Sequence, residues 1–166
     1  MELLKLRFFL LVLLPLFLCS GCGGTQKVKG ESPFVSIAGL VLSGESLAVK
    51  LDVQNINDVA MIIDAIDFRI RSADSDLTSV AQPMNLAIDP NTIEEVPLEN
   101  LPAGLAGPRL AELESGNLAS LPFSLEGRVH TAEDGYLPFR HEGHLYPVPG
   151  KPGQFRSASS RSREAH

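Results

Sequence analysis

Apolar and polar residues alternate with a period of two along most of this chain, as expected of strands with one buried face. The clearest run is Leu47 to Gln54, with Leu47, Val49, Leu51 and Val53 on one parity and Ala48, Lys50, Asp52 and Gln54 on the other. It ends at Asn55-Ile56-Asn57-Asp58, where Asn and Asp side chains bond their own backbone and accept positive φ, so the chain reverses there. A second strand follows, in which Ile66, Phe68 and Ile70 alternate with Asp67, Arg69 and Arg71 after the apolar lead-in Met61-Ile62-Ile63. Two strands with one apolar face are not stable alone and require a second sheet or a helix to cover it.

The remaining pattern supplies that cover. Phe34 to Leu42 reads as a first strand with a bulge or bend at Gly39, and Ser43-Gly44-Glu45-Ser46 as the turn after it. Leu77 to Ile88 reads as one or two edge strands, because Pro83 cannot donate to a ladder. Asp89-Pro90-Asn91 is a turn, and Thr92 to Leu98 a strand with an acidic face. Arg109 to Glu114 is the one plausible helix, opened by Pro108 and stopped at Gly116. Leu121 to Val129 and Leu137 to Leu145 form a closing hairpin around Glu133-Asp134-Gly135. Short strands at regular spacing, with 14 Gly, 12 Pro and no Trp, predict an all-β sandwich of about seven strands rather than a helical fold.

The first 21 residues carry a different pattern. Lys5 and Arg7 precede an apolar run from Phe8 to Leu18, the layout of a secretory signal; at eleven residues the run is shorter than the roughly 20 a permanent bilayer helix needs. It leads into Leu18-Cys19-Ser20-Gly21-Cys22, which resembles the bacterial lipobox, with Cys19 where leucine is commonest. The resemblance implies cleavage after Gly21, a diacylglyceryl group on the Cys22 sulfur and an acyl chain on its amino group. The alternative is an ordinary secretory signal cut elsewhere. No cysteine occurs after Cys22, so a disulfide framework is excluded. Gly23 follows in place of aspartate, which in Gram-negative lipoproteins usually permits export to the outer membrane, facing the periplasm. The expected organisation is a signal peptide over residues 1–21, a flexible tether over 22–32, a β-sandwich domain over 33–149 and a disordered basic tail over 150–166.

Charge sharpens the picture. The net charge is −6, but between Glu31 and Gly150 six basic side chains face eighteen acidic ones, a net of −12. An acidic body excludes binding to a nucleic-acid backbone by the folded part.

The run from Leu47 to Val53, the turn Asn55-Ile56-Asn57 and the strand from Ile62 to Ile70 are similar to the centre of the late embryogenesis abundant type 2 family, also called the water-stress and hypersensitive-response domain. That family has an Asn-Pro-Asn turn at this place, with Ile56 here standing for the proline. Phe123-Ser124-Leu125-Glu126-Gly127 resembles its aromatic, x, Leu, x, Gly strand. The resemblance covers roughly residues 33–147. It implies a seven-stranded sandwich of the immunoglobulin or fibronectin type III kind, no catalytic residue, and a link to desiccation, cold or osmotic stress.

Other chemistry finds little footing. His141-Glu142-Gly143-His144 spaces its histidines by three, whereas the zinc helix motif needs four; in a strand the two rings point to opposite faces, with His141 half-buried and His144 on the surface. Asp74 and Asp76 lack the glycine and glutamate of a calcium loop. Asp64 and Asp67 lie on opposite parities, unsuited to a paired acid and base. Asp64 shares the parity of Ile62 and Ile66, so it needs a partner or a place at an exposed strand end. No Gly-x-Ser-x-Gly elbow is present. The expectation is a non-enzymatic, lipid-anchored envelope protein without metal or cofactor, protective under water stress through weak protein contacts. The alternative is a binding module that recruits a protein partner or an apolar ligand. An unrecognised hydrolase would have to use His130, His141 or His144.

Overall fold

The computed structural model describes residues 30–105 and 107–159. Eight strands and one helix follow in the order β1 (Phe34–Ser43), β2 (Ser46–Gln54), β3 (Met61–Ser72), β4 (Ser75–Ile88), β5 (Ile93–Pro102), α1 (Gly107–Glu114), β6 (Leu121–Thr131), β7 (Gly135–Pro147) and β8 (Gln154–Ser159). The strands form one antiparallel sheet in the order β4-β3-β6-β7-β8-β1-β2-β5. Its two edge strands, β4 and β5, come back into contact, so the sheet curls into a nearly closed barrel. The inward parity of each strand supplies the core, including Leu47, Val49, Leu51 and Val53, all at most 1% exposed.

The registers define two poles. Phe34, Gln54, Ile88, Ile93 and Thr131 lie at the near pole, where the described chain begins. Ser43, Ser46, Ser72, Pro102 and Leu121 lie at the far pole. The segment after β5 crosses the far pole: Ala103 N–H donates to the Glu45 carbonyl at 2.9 Å and Gly104 N–H to the Leu77 carbonyl at 2.6 Å. Helix α1 then packs on β6 and β7 with Leu110 and Leu113 fully buried. It stops as expected before Gly116, whose φ of 80° suits glycine.

Bulges set which residues face inward, because one extra residue moves every later side chain to the other face. The one in β4 opposite Ile70 and Arg71 buries both Leu77 and Thr78, and there are three others among the described residues. One falls in β1 between Ile37 and Gly39, as the sequence suggested, and lets Leu40 follow Ile37 into the core. A second lies between Ile63 and Ala65 and corrects the parity read for β3. Met61 and Ile63 point inward there, Ile62 is 53% exposed, and Asp64 sits half-exposed at the bulge. The third is in β5, where Asn100 takes a φ of 58° and brings both Leu98 and Leu101 inward.

Two glycines make room for aromatic rings across β6 and β7. Phe123 stands opposite Gly143, and Gly127 opposite Phe139. A Cβ at Gly127 would lie 2.7 Å from both the Phe139 ring and Phe68 Cβ, and closer still to the Asp67 carbonyl. Overpacking of this kind costs about 1–3 kcal/mol. Gly127→Ala is therefore expected to lower the urea midpoint with little change in slope, and a variant as stable as the parent would contradict this packing.

The tail expected to be disordered from residue 150 is corrected in part. Residues Gln154–Ser159 form β8, which pairs with β7 on one side and β1 on the other. Phe155, 2% exposed, fills the core, and the Ser157 hydroxyl donates to the Ile37 carbonyl. The turn before β8 is closed by Val148 N–H to the Gln154 carbonyl and by Leu42 N–H to the Gly153 carbonyl. Without β8 the ladder would separate into β4-β3-β6-β7 and β1-β2-β5, seven strands in two groups.

Candidate functional site

Asn55 organises the near pole. Its side chain is 0% exposed. The amide donates to the carbonyls of Val59 at 2.8 Å, Ile88 at 3.2 Å and Asp89 at 3.2 Å, and its oxygen accepts from the Asn57 backbone N–H at 3.0 Å. The Asn55 backbone N–H donates to the Thr92 carbonyl at 2.9 Å. One side chain thus ties the end of β2, the loop to β3 and the turn from β4 to β5 together. Asn57 extends the tie outward. Its Oδ1 accepts from Glu31 N–H at 2.7 Å and its Nδ2 donates to the Glu31 carbonyl at 3.0 Å, fixing where the chain enters the domain. Ile56, between them, is 41% exposed.

Beside this tie lies a cleft of about 310 Å³, lined by Val59, Met61, Ile62, Thr131, Ala132 and Asp134 among others. Its walls are mainly aliphatic. The pattern hid this cleft, because Ile62 read as a core residue.

The outer face of β3, β6 and β7 carries a lattice of opposite charges. Arg128 donates to Asp67 Oδ2 from Nη2 at 3.0 Å and from Nε at 3.2 Å. Arg140 bridges Glu142 at 2.7 Å and Glu126 at 3.4 Å, and Asp76 sits 3.3 Å from Arg71 and 3.7 Å from Arg69. Hydrogen bonding to Glu142 first, then the nearby charges of Glu126 and Glu142, raise the Arg140 pKa above its ordinary value. On β2, the Glu95 hydrogen bond at 2.8 Å does the same for Lys50. The strand pattern shows these residues on outward parities; pairing them needs the register, which the sequence does not spell out.

The histidines separate. His130 Nδ1 is 3.5 Å from Asp64 Oδ2, and its ring meets the edge of Tyr136 at 4.9 Å, with the Arg128 guanidinium 4.6 Å above that tyrosine. Asp64 and Asp67 serve different partners, although the bulge leaves both half-exposed and not on the opposite faces that their sequence parities suggested. His141 is 8% exposed, between Phe34 at 5.4 Å and Phe123 at 6.0 Å, with no hydrogen-bond partner on Nε2. His144, three residues on, is turned the other way and half-buried. Among the described residues no group of three His, Cys, Asp or Glu side chains is placed to hold a metal ion. No described helix is long and apolar enough to cross a membrane. Cys19, Ser20, Gly21 and Cys22 lie outside the described residues.

Burial lowers the His141 pKa below the ordinary 6.5, with Glu142 opposing more weakly. The unfolded chain then binds more protons than the folded one between those two values. The stability contributed is full above pH 6.5 and is lost as pH falls toward the folded-state pKa. Thermal melts at pH 7.5 and pH 5 are expected to show a fall in the parent that is smaller in His141→Phe; equal falls would contradict it.

Neither a family model nor a curated protein matches the chain. Among solved structures, an Arabidopsis thaliana protein determined in solution superposes with a TM-score of 0.53 at 13% identity, over 76% of this chain and 87% of its own. A crystal structure of a protein from Archaeoglobus fulgidus gives a TM-score of 0.42 at 11% identity, over 69% of this chain and 95% of its own. The likeness to the plant protein is one of fold.

Proposed function

We propose that this chain is a non-enzymatic, lipid-anchored envelope protein of the late embryogenesis abundant type 2 kind, protective when water is withdrawn. The observation that carries the reading is the mutual pairing of charges on the β3-β6-β7 face. In bulk water such exposed pairs add little to stability, because solvent and salt screen them. Coulomb attraction rises as the dielectric falls, from about 1 kcal/mol at 4 Å in water to about 4 kcal/mol at an effective constant of 20. A surface whose cations already touch carboxylates therefore tightens on drying, where isolated charges would be stranded. The acidic body keeps neighbouring molecules apart and supports weak, unspecialised protein contacts without nucleic acid. Cys22 carries the lipid, and the domain faces the periplasm from the outer membrane.

The immunoglobulin or fibronectin type III-like assignment belongs to the same reading. Strands β4-β3-β6-β7 and β1-β2-β5 act as the two layers of a sandwich, and β8 joins them along one side.

The test is to dry and rehydrate a labile enzyme with and without the protein. Retained activity beyond that given by equal albumin supports protection. Parity with albumin refutes it. The apolar cleft at Val59 and Ile62 favours a second reading, a module that binds an apolar ligand or a protein partner. A specific partner crosslinked in intact envelope would favour that reading over general protection.

A further inference from the structure

The large apolar side chains left in solvent are not spread evenly. Of the eight exposed ones among the described residues, Phe34, Ile56, Val59, Ile62, Ile93 and Tyr136 belong to the near pole, and only Val41 and Leu105 to the far pole. The geometry points to the near pole as a membrane-resting face, whose aliphatic side chains enter the headgroup layer of the zwitterionic bilayer to which the chain is tethered. This inference rests on the reading of Cys22 as acylated.

Reach favours one surface for contact with the bilayer. Glu31 is held at the near pole by Asn57, so the tether joins the domain there. From Cys22 to Gly30 there are eight residues, which span at most about 26–29 Å when extended. Strand β3 has 12 residues, roughly 38 Å along its own axis, or about 27–31 Å along the barrel at the usual strand tilt of about 35–45°. Turning the far pole to the bilayer would need the tether at full stretch, whereas the near pole meets it with the tether slack. Lying flat on the β3-β6-β7 face would press the paired charges of Asp67, Arg128, Glu126 and Arg140 into lipid, which strips their hydration.

The charges at the near pole select the kind of lipid. Its loops, residues 30–33, 55–60, 89–92 and 131–135, hold Glu31, Asp58, Asp89, Glu133 and Asp134 and no lysine or arginine. That ring repels an anionic surface. It suits a phospholipid whose headgroup ends in an ammonium, which meets the carboxylates while Ile56, Val59, Ile62 and Ile93 go deeper. Tyr136, with an apolar ring and a polar tip, is chemically suited to the boundary.

The test uses the full-length chain purified from bacterial membranes, with the lipid on Cys22 verified by mass spectrometry. A single cysteine is introduced as Ile62→Cys at the near pole or Leu105→Cys at the far pole, and labelled with bimane. Each protein is placed in phosphatidylethanolamine and phosphatidylcholine vesicles with or without brominated acyl chains. Bromine is expected to quench the label at 62 at least threefold more than the label at 105. Adding Val59→Glu and Ile93→Glu to the Ile62→Cys protein is expected to bring the two close to parity. Equal, weak quenching at both sites in an acylated chain overturns this inference and leaves the lipoprotein reading standing. A label at 62 that is shielded from water yet untouched by bromine also overturns it, because a protein or a second copy then covers the pole. A Cys22 without lipid overturns both.

Discussion

Phe155→Ala is expected to destabilise the domain by about 3–5 kcal/mol, the cost of removing a buried ring and leaving a cavity. Phe155 is 2% exposed and is the one large apolar side chain of β8, the strand that joins β7 to β1. Its loss removes the main reason for β8 to stay docked, since the strand is otherwise Gln, Arg, Ser and Ala. Hydrogen exchange is expected to accelerate first at the β1–β8 pairing of Gly39 to Val41 with Gln154 to Arg156. Arg156→Ala on the same strand removes a guanidinium 5.4 Å from the Tyr146 ring and serves as the control, costing under about 1 kcal/mol. A Phe155→Ala protein within 1 kcal/mol of the parent by urea unfolding would show that β8 is not part of the core.

The second large effect is expected at Asn55. Asn55→Ala removes the amide from three carbonyls and the acceptor from the Asn57 N–H. Each buried group left unmet costs about 1–3 kcal/mol, and water reaching this end of the barrel recovers part of it, so a loss of about 3–4 kcal/mol is expected. Asn55→Asp is the more informative change. It keeps the acceptor for Asn57 but sets a carboxylate against the carbonyl oxygens of Val59, Ile88 and Asp89. It is expected to be worse than alanine at pH 7 and to recover on acidification, as the protonated acid regains one donor. An aspartate variant as stable as the parent at neutral pH would refute the network.

Much of the strand pattern was legible because β2, β6 and β7 alternate without interruption at their inward positions. The helix was legible from Pro108, from Leu110 and Leu113 three apart, and from Gly116. What stayed hidden depends on neighbours. The bulge at Asp64 is imposed by the pairing of β3 with β4 and β6, and no local signal tells Ile62 from Ile63. Strand β8 has a single core residue among polar ones, so its composition looks like a tail although its register with β1 and β7 makes it a strand. Asn55 was readable as a turn former. Its burial follows from the turn at Asp89, 34 residues later, folding back over it. The charged face needed the register too: Asp67 meets Arg128 across a separation of 61 residues.

The placement of β8 has a consequence for how the barrel comes to exist. A chain that emerges amino end first delivers β1 early, yet the seam beside β1 stays open until Phe155, 115 residues after Leu40, has been made. So long-range a contact is slow to form. Until then the earlier strands hold an unfinished wall, whose last pairing waits for the carboxyl-terminal segment.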